Sequence, residues 1–162
     1  MNQENFNIIY SENYPKVMRL CLGYVNGNKV QAQDLAQDVF IKVWDNLKNF
    51  RKESSISTWI YRITVNTCLI YLRTNKKRKT TNNLPPDLKI HIDNDVENRE
   101  SKFKQLYNCI NKLNDDNKAI ILLELEGLPQ KEIAEIIGIN YETLRVRICR
   151  IKDKLTKCVS NE

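Results

Sequence analysis

One segment near the C-terminal end restricts the fold more than any other part of this 162-residue sequence. It reads LPQKEIAEIIGINYETLRVRICRIKDKL, from Leu128 to Leu155. Pro129 suits the first position of a helix, where its fixed φ is already helical and its missing N–H is not needed. Ala134 is small enough for a crossing helix to approach closely, and Gly138, four residues later, permits a tight turn. The pattern predicts two helices that meet at a steep angle.

The second of these helices has one apolar stripe and one polar face. Apolar residues recur at gaps of four, three and four positions, at Leu144, Ile148, Ile151 and Leu155, as on a helix. The polar face is predicted to be exposed and consists of Glu142, Thr143, Arg145, Arg147, Arg150, Lys152 and Lys154. Val146 and Cys149 lie beside this polar face. Arginines on such a helix can hydrogen-bond guanine or clamp phosphates in a major groove. We therefore predict a helix-turn-helix that binds duplex DNA. The alternative is an ordinary amphipathic hairpin with a basic surface.

Helical spacing also dominates the rest of the chain, which has only four glycines and four prolines. Three segments show an apolar stripe of this kind. The first stripe is Tyr10, Tyr14, Val17, Leu20 and Cys21. The second is Leu35, Ala36, Val39, Phe40, Val43, Trp44 and Leu47. The third is Phe103, Leu106, Ile110 and Leu113. The sequence predicts an all-α protein.

The stretch from 75 to 100 lacks apolar periodicity and is predicted to be a linker. It begins with the basic run Lys76–Lys79, continues to Pro85-Pro86 and then becomes acidic. Polar residues and a diproline are typical of a flexible connection. We expect two small helical domains, 1–74 and 101–162, joined by this linker, with the helix-turn-helix in the second. Each is small and must be a compact helical bundle.

Composition excludes several classes of protein. The five cysteines are scattered without a CxxC pair, and the single histidine, His91, lies in the expected linker. We therefore expect no metal site, no cofactor and no catalytic residues. The N-terminus has no signal-peptide core, and no run approaches the ~18 apolar residues of a membrane span. Isolated cysteines suit a reducing compartment, so we expect a cytoplasmic protein without membrane insertion.

Positive charge is concentrated in residues 51–80, which contain eight basic residues and one acidic residue. Aromatic and basic side chains alternate along this segment. The aromatic residues are Phe50, Trp59 and Tyr61, and the basic residues beside them are Arg51, Lys52, Arg62 and Arg73. Single-stranded nucleic acid needs rings that stack on flipped bases and cations that follow the backbone. The segment fits that requirement. The alternative is that Trp59 and Tyr61 belong to the core and that the lysines are merely solvated.

Taken together, these segments resemble the extracytoplasmic-function sigma factors over nearly the whole chain, from about Phe6 to Val159. DLAQDVFIKVW resembles the region 2 helix that binds core RNA polymerase. FRKESSISTWIYRITVNTCLIYLR resembles the segment that melts and reads the minus-ten element. The helix-turn-helix resembles region 4, although Pro129 stands where the family often has a serine or threonine cap.

The resemblance implies three sets of site residues. The polymerase-binding set is Asp34, Gln37, Asp38, Ile41 and Lys42. The minus-ten set is Phe50, Arg51, Lys52, Ser54, Ser55, Trp59, Arg62, Asn66 and Arg73, in which the loop Phe50–Ser55 would hold a flipped base. The set facing the minus-thirty-five duplex is Glu142, Thr143, Arg145, Val146, Arg147, Cys149 and Arg150.

The resemblance also implies partners: core RNA polymerase, promoter DNA and, as for many members of the family, an anti-sigma factor. We expect a monomer without chemistry of its own that gives the polymerase its promoter specificity. The competing hypothesis is a polymerase-independent helix-turn-helix regulator, which would bind a palindromic site as a dimer. That hypothesis explains the C-terminal domain but leaves the basic, aromatic segment unexplained.

Overall fold

The computed structural model describes residues 3–81 and 97–160. Every regular element within these two ranges is helical, which confirms the all-α prediction. The α-helices are α1 (Gln3–Tyr24), α2 (Lys29–Asn46), α3 (Ile56–Thr81), α4 (Glu97–Asn111), α5 (Asp115–Leu125), α6 (Gln130–Ile137) and α7 (Tyr141–Ser160), with a 3₁₀ turn at Leu47–Asn49.

The first three helices pack against one another as a bundle. On α1 and α2 the buried side chains follow the predicted stripes and include Val17, Leu20, Leu35, Ala36, Val39, Phe40 and Val43. Helix α3 contributes Ile60 and Val65 to the same core. A turn joins α1 to α2, in which Asn26 and Gly27 both have a positive φ, of 54° and 79°. Asn28 then caps α2, because its side chain accepts a hydrogen bond from the Gln31 N–H at 3.1 Å.

Three aromatic residues predicted to face the core are exposed instead. Trp44 is 50% exposed, Tyr10 40% and Phe103 59%. Trp44 and Tyr10 lie at the margin of the apolar stripe, where each contacts another aromatic ring. The Trp44 ring meets Phe6 edge-on, with ring centroids 4.8 Å apart, and Tyr10 packs on Phe40 at 4.6 Å. A stripe assigned by spacing alone includes such marginal positions.

The helices extend further into the expected linker than the sequence indicates. Helix α3 continues to Thr81 and α4 begins at Glu97, so residues 75–81 and 97–100 are helical. The basic run at Lys76 therefore starts on a helix. Pro85-Pro86 and His91 lie outside the described residues.

Among the C-terminal helices α4–α7, several ends lie at residues that typically cap a helix. Asn114 caps α5 by accepting a hydrogen bond from the Asn117 N–H at 2.9 Å. Gly138 has a φ of 81°, and its N–H donates to the Ala134 carbonyl at 2.8 Å, which closes α6 and confirms the predicted turn. Pro129 lies one position earlier than expected: it precedes α6, which begins at Gln130. The buried stripe from Leu144 to Leu155 on α7 is as predicted.

The two helical groups are docked against each other. Helix α1 contacts α4 and α5, and α3 contacts α5 and α6, so one continuous apolar core spans both groups. Gly23 of α1 makes this possible, because a Cβ at this position would overlap the Leu122 side chain of α5. At the margin, Arg19 forms two hydrogen bonds with the Glu126 carboxylate, at 2.8 and 2.9 Å. Lys76 pairs with Asp115 at 2.9 Å.

Replacing Gly23 with valine should separate the two groups while each stays helical. The added side chain must displace the buried Leu122, and overpacking of this kind costs about 1–3 kcal/mol. We expect small-angle scattering to show a larger radius of gyration with little loss of far-ultraviolet circular dichroism. Ser11→Val, at an exposed position of the same helix, is the control. An unchanged radius in Gly23→Val would contradict this account of the docking.

Candidate nucleic-acid interface

The N-terminal half of α7 presents a polar surface that the rest of the structure leaves open. Glu142, Thr143, Arg145 and Arg150 are exposed, as predicted, and so are Val146 and Cys149. Asn140 fixes the start of the helix, because its side chain accepts a hydrogen bond from the Thr143 N–H at 2.7 Å. The Arg145 guanidinium lies over the Tyr141 ring, 5.8 Å from its centroid.

Arg147 departs from the prediction, since it is half-buried rather than exposed. Its position on α7 turns it toward the start of α5. There it lines a small cavity of about 290 Å³ together with Asn114, Asp116, Asn117, Arg150, Ile151 and Lys154. Arg147 and Arg150 thus lie together at the side of α7, beside the N-terminus of another helix. The Asp116 carboxylate lines the same cavity.

The loop from Phe50 to Ser55 lies between the 3₁₀ turn and α3, as the sequence predicted. The Phe50 ring packs against Trp59 at 5.1 Å between centroids. Trp59 is half-buried against the core, and its stacking on a base stays a prediction. Lys52 has a φ of 58°, a left-handed conformation that disfavours a side chain with a Cβ. The loop borders an apolar cavity of about 620 Å³ lined by Asn5, Ile8, Ile9, Leu47, Lys48, Phe50, Lys52 and Ile56.

A second groove, which we call the polar groove, runs between the end of α2 and the middle of α3. Its volume is about 320 Å³ and its lining residues are Lys42, Asn46, Asn49, Trp59, Ile63, Asn66 and Thr67. The Lys42 ammonium donates a hydrogen bond to the Thr67 hydroxyl at 3.0 Å. Lys42, which the sequence placed in the polymerase-binding set, therefore lies with Trp59 and Asn66 of the minus-ten set.

A third groove, the aromatic groove, lies between α1 and α2. It measures about 650 Å³ and is lined by Phe6, Tyr10, Tyr14, Gln33, Asp34, Gln37, Phe40, Ile41 and Trp44. The structure thus brings together three members of the polymerase-binding set, Asp34, Gln37 and Ile41. Asp38 is exposed on α2 outside this lining. The aromatic members of the groove escaped sequence analysis because their spacing matched a core stripe.

Helix α6 covers one edge of α3. The Thr58 hydroxyl donates to the Glu132 carboxylate at 3.1 Å, and Arg62 donates to the backbone carbonyl of Glu135 at 3.3 Å. Tyr61 lies on the same side of α3. Burial, with a smaller effect of Glu126, raises the pKa of Tyr61 to about 12, and Arg19 opposes this shift. Arg62, a member of the minus-ten set, is thus engaged by the helix-turn-helix. Among the described residues, no recorded hydrogen bond or ion pair joins α6 to four other members of that set: Arg51, Ser54, Ser55 and Arg73.

Comparison with known proteins identifies both parts of the chain. The family model Sigma-70 region 2 matches residues 9–78, and Sigma-70, region 4 matches residues 103–155. The ECF RNA polymerase sigma-E factor of Haemophilus influenzae is 33% identical over 95% of this chain and 87% of its own length. The sigma-E factor of Escherichia coli is 31% identical over 95% and 86%. The chain belongs to the extracytoplasmic-function sigma factors.

This sigma factor directs promoter-specific transcription initiation, with RNA polymerase and promoter DNA as its partners. The hypothesis of a polymerase-independent regulator does not account for the match to region 2. Among solved structures, a sigma factor RpoE with the anti-sigma factor NepR, from Bartonella quintana, has a TM-score of 0.78 at 20% identity, over 97% of this chain and 98% of that one. CnrH, in complex with the cytosolic domain of CnrY, has a TM-score of 0.76 at 18% identity, over 99% and 91%. At these identities the likeness concerns the fold alone.

Among the described residues, no helix combines the length and the apolar character that a membrane span requires. Nor do three or more of their histidine, cysteine and acidic side chains come together as a metal site would require.

Changing Asn140 to alanine should destabilise the start of α7. The loss of this cap removes the partner of the Thr143 N–H and costs ~1 kcal/mol, which lowers Tm by roughly 2–4 °C in a chain of this size. Thermal unfolding followed by circular dichroism measures the shift. Asn140→Asp, whose carboxylate can accept the same hydrogen bond, should retain most of the stability. Equal Tm values for both variants would show that this cap is not what holds the helix start.

Proposed function

We propose that this sigma factor uses three separate surfaces for three contacts. The exposed face of α7 reads the upstream duplex element, the Phe50–Ser55 loop with α3 and the polar groove captures the melted minus-ten strand, and the aromatic groove binds core polymerase. The observation that carries the proposal is that the three surfaces share no lining residue. Helix α7 supplies the first, α3 with the end of α2 supplies the second, and α1 with another side of α2 supplies the third. The three contacts therefore do not compete for the same residues.

The upstream contact is supported by the exposure and the chemistry of α7. Glu142, Thr143, Arg145 and Val146 occupy the first turns, the part of a recognition helix that enters the major groove. Arg145 and Arg150 can be bidentate to guanine or hold phosphates. Arg147, beside the start of α5, is placed for a phosphate rather than for a base, because it is directed to the side of α7.

The minus-ten contact is supported by aromatic faces and amides along one side of α3. Unstacking a base costs a few kcal/mol, and stacking on an aromatic ring returns ~1–3 kcal/mol per base. Trp59 offers part of its ring to the polar groove, and Asn66 and Lys42 supply donors beside it. We therefore assign Lys42 to the minus-ten contact. Arg51, Lys52 and Arg73 extend the positive charge along the path of the strand.

The polymerase contact is supported by exposed apolar area ringed with polar groups. Ile41 is 53% exposed and Trp44 50%, and both line the aromatic groove. Aromatic anchors in a concave surface are typical of the centre of a protein–protein interface. Asp34 and Gln37 at its margin would fix the register of a basic partner. Asp38 remains on the outer side of α2 as a peripheral charge.

The proposal also covers the compartment, the oligomeric state and the chemistry of the protein. The protein acts in the cytoplasm as a monomer, has no catalytic activity, and needs no cofactor or metal. An anti-sigma factor is a further partner, since the neighbouring structure of RpoE was solved with one. Such a partner would act by covering at least one of the three surfaces.

In vitro transcription with core polymerase tests the proposal as a whole. We expect promoter-specific transcripts from genomic DNA only when both the protein and core polymerase are present, and the mapped start sites should share two upstream elements. Tight, specific binding to promoter DNA without polymerase, on a palindromic site, would instead favour an independent regulator.

Replacing Arg145 or Arg150 with alanine should weaken promoter recognition through the upstream element. Each base-reading contact contributes ~1–3 kcal/mol, so we expect a loss of transcription at limiting sigma factor of about fivefold to 150-fold. Lys157→Ala, on an exposed position in the last turn of the same helix, is the control for loss of charge. Unchanged transcription from its own promoter with both Arg145→Ala and Arg150→Ala would refute the recognition-helix assignment.

Changes in the aromatic groove should weaken polymerase binding without affecting the fold. Ile41→Arg or Trp44→Ala should lower affinity for core polymerase roughly tenfold or more, as for anchors of an interface. The matched control is Val30→Arg, which alters an apolar residue of α2 that is 68% exposed but outside the groove. Native gel shifts with core polymerase measure the affinity. If Val30→Arg weakens binding as much as Ile41→Arg, the groove is not the specific contact.

A further inference from the structure

The last turn of α7 is joined to α4 by a covalent bond. Cys109, which is 2% exposed near the end of α4, and Cys158, which is half-buried near the end of α7, form a disulfide. Their Cα atoms are 6.0 Å apart, a spacing that a disulfide spans without moving the backbone. The bond connects residues 49 positions apart, so the loop that it closes contains α5, α6 and most of α7.

This bond holds the helix that faces the upstream DNA. Beyond Ile151, the packing of α7 relies on Leu155 and on the half-buried Cys158 and Val159. Without the covalent link, these few contacts alone keep the end of α7 against α4. A link that closes a long loop stabilises a fold mainly by restricting the unfolded chain. Oxidation should therefore stabilise the domain that contains the helix-turn-helix.

The surroundings of this disulfide favour its reversible formation. Cys158 is accessible enough for a small oxidant or a reductant to reach it, whereas Cys109 is enclosed. The Lys112 ammonium lies 3.9 Å from the Cys158 sulfur. A cation at this position stabilises the sulfur anion that forms when the disulfide is opened. Disulfides in a reducing compartment are mostly transient and redox-sensing rather than structural.

The other cysteines are poorer candidates for this chemistry. The sulfur atoms of Cys21 and Cys68 are 3.9 Å apart, but both residues are buried in the core of the first three helices. The hydrogen bond with Cys21, together with burial, raises the pKa of the Cys68 thiol well above its usual range. Cys149 is exposed on α7 without a second cysteine in disulfide contact among the described residues.

We propose that Cys109 and Cys158 form a reversible redox site that adjusts the stability of the DNA-reading domain. A hydroperoxide oxidises the Cys158 thiolate to a sulfenic acid and leaves as the alcohol, or as water when it is hydrogen peroxide. The Cys109 thiol then attacks that sulfur, which forms the disulfide and releases water. A dithiol reductant reverses the reaction by exchange: its two thiols become a disulfide, and both cysteines return to thiols. The site itself is independent of the promoter assignments, whereas its effect on promoter binding rests on the proposed function.

Thermal unfolding in the two redox states tests the site. The full-length protein is treated with hydrogen peroxide or with dithiothreitol, and peptide mass spectrometry after alkylation maps the pairing. We expect Cys109 paired with Cys158 after peroxide, and a Tm higher than that of the reduced protein by roughly 5 °C or more. Cys109→Ala and Cys158→Ala should each abolish the difference, whereas Cys149→Ser should keep it. The proposal would be overturned by pairing of Cys21 with Cys68 instead, by no pairing, or by equal Tm values in the two states. Because the unaltered protein is compared in its two redox states, this test does not depend on the folding of any variant.

Promoter binding by the holoenzyme tests the consequence. The measurement uses the full-length protein with Cys149 retained, because Cys149 belongs to the set that faces the upstream duplex. The Cys158→Ala variant keeps Cys149 and so separates oxidation of that exposed thiol from formation of the disulfide. We expect reduction to weaken binding to duplex containing the upstream element, and Cys158→Ala to make binding insensitive to redox state. A Tm difference without a binding difference would refute the link to promoter recognition while leaving the site. Failure of the recognition-helix assignment would be distinguishable, because Arg145→Ala and Arg150→Ala would then bind normally in both states.

Discussion

The close approach of α1 to α5 at Gly23 is the constraint on which the arrangement of the whole molecule depends. Only a residue without a side chain lets Leu122 reach the first bundle, and only then can the buried residues of both helical groups form one continuous core. Neither group is large, and small domains bury a limited share of their surface. Docking therefore buries apolar surface that each helical group alone would expose. It also fixes the position of the two proposed DNA-binding surfaces relative to each other.

Two ion pairs also join the two helical groups, and in both pairs the cation comes from the first group. The first group supplies the cations Arg19 and Lys76, and the second supplies the anions Glu126 and Asp115. Arg19 is 56% exposed and Lys76 67%, so water and salt weaken both pairs, and exposed pairs of this kind contribute little to stability. Their effect is on orientation: they select one way of placing α5 on α1. The free energy of docking comes from the apolar contact, and the ion pairs make it sensitive to ionic strength.

Sequence analysis succeeded where local spacing determines structure and failed where distant parts of the chain meet. The stripe from Leu144 to Leu155 and the turn at Gly138 follow from helical periodicity and from the conformational freedom of glycine. Trp44 was misassigned because spacing does not distinguish the margin of an apolar stripe from its centre. Pairing of Cys109 with Cys158 has no local signal, since 49 positions separate them. The hydrogen bond from Lys42 to Thr67 on another helix has no local signal either, and the assignment of Lys42 to the polymerase-binding set stays a prediction.

The docked arrangement leaves the proposed surfaces unequally accessible, which implies an order of binding. The aromatic groove is built from α1 and α2 alone, and the first turns of α7 are exposed, so neither is obstructed by docking. Arg62 and Thr58 on α3, by contrast, are engaged by α6. A strand that follows α3 must break those two hydrogen bonds, which are individually weak, and must displace α6. Polymerase can bind the groove without any such displacement. Contact with polymerase can therefore precede capture of the melted strand, and any partner that separates α6 from α3 favours that second step.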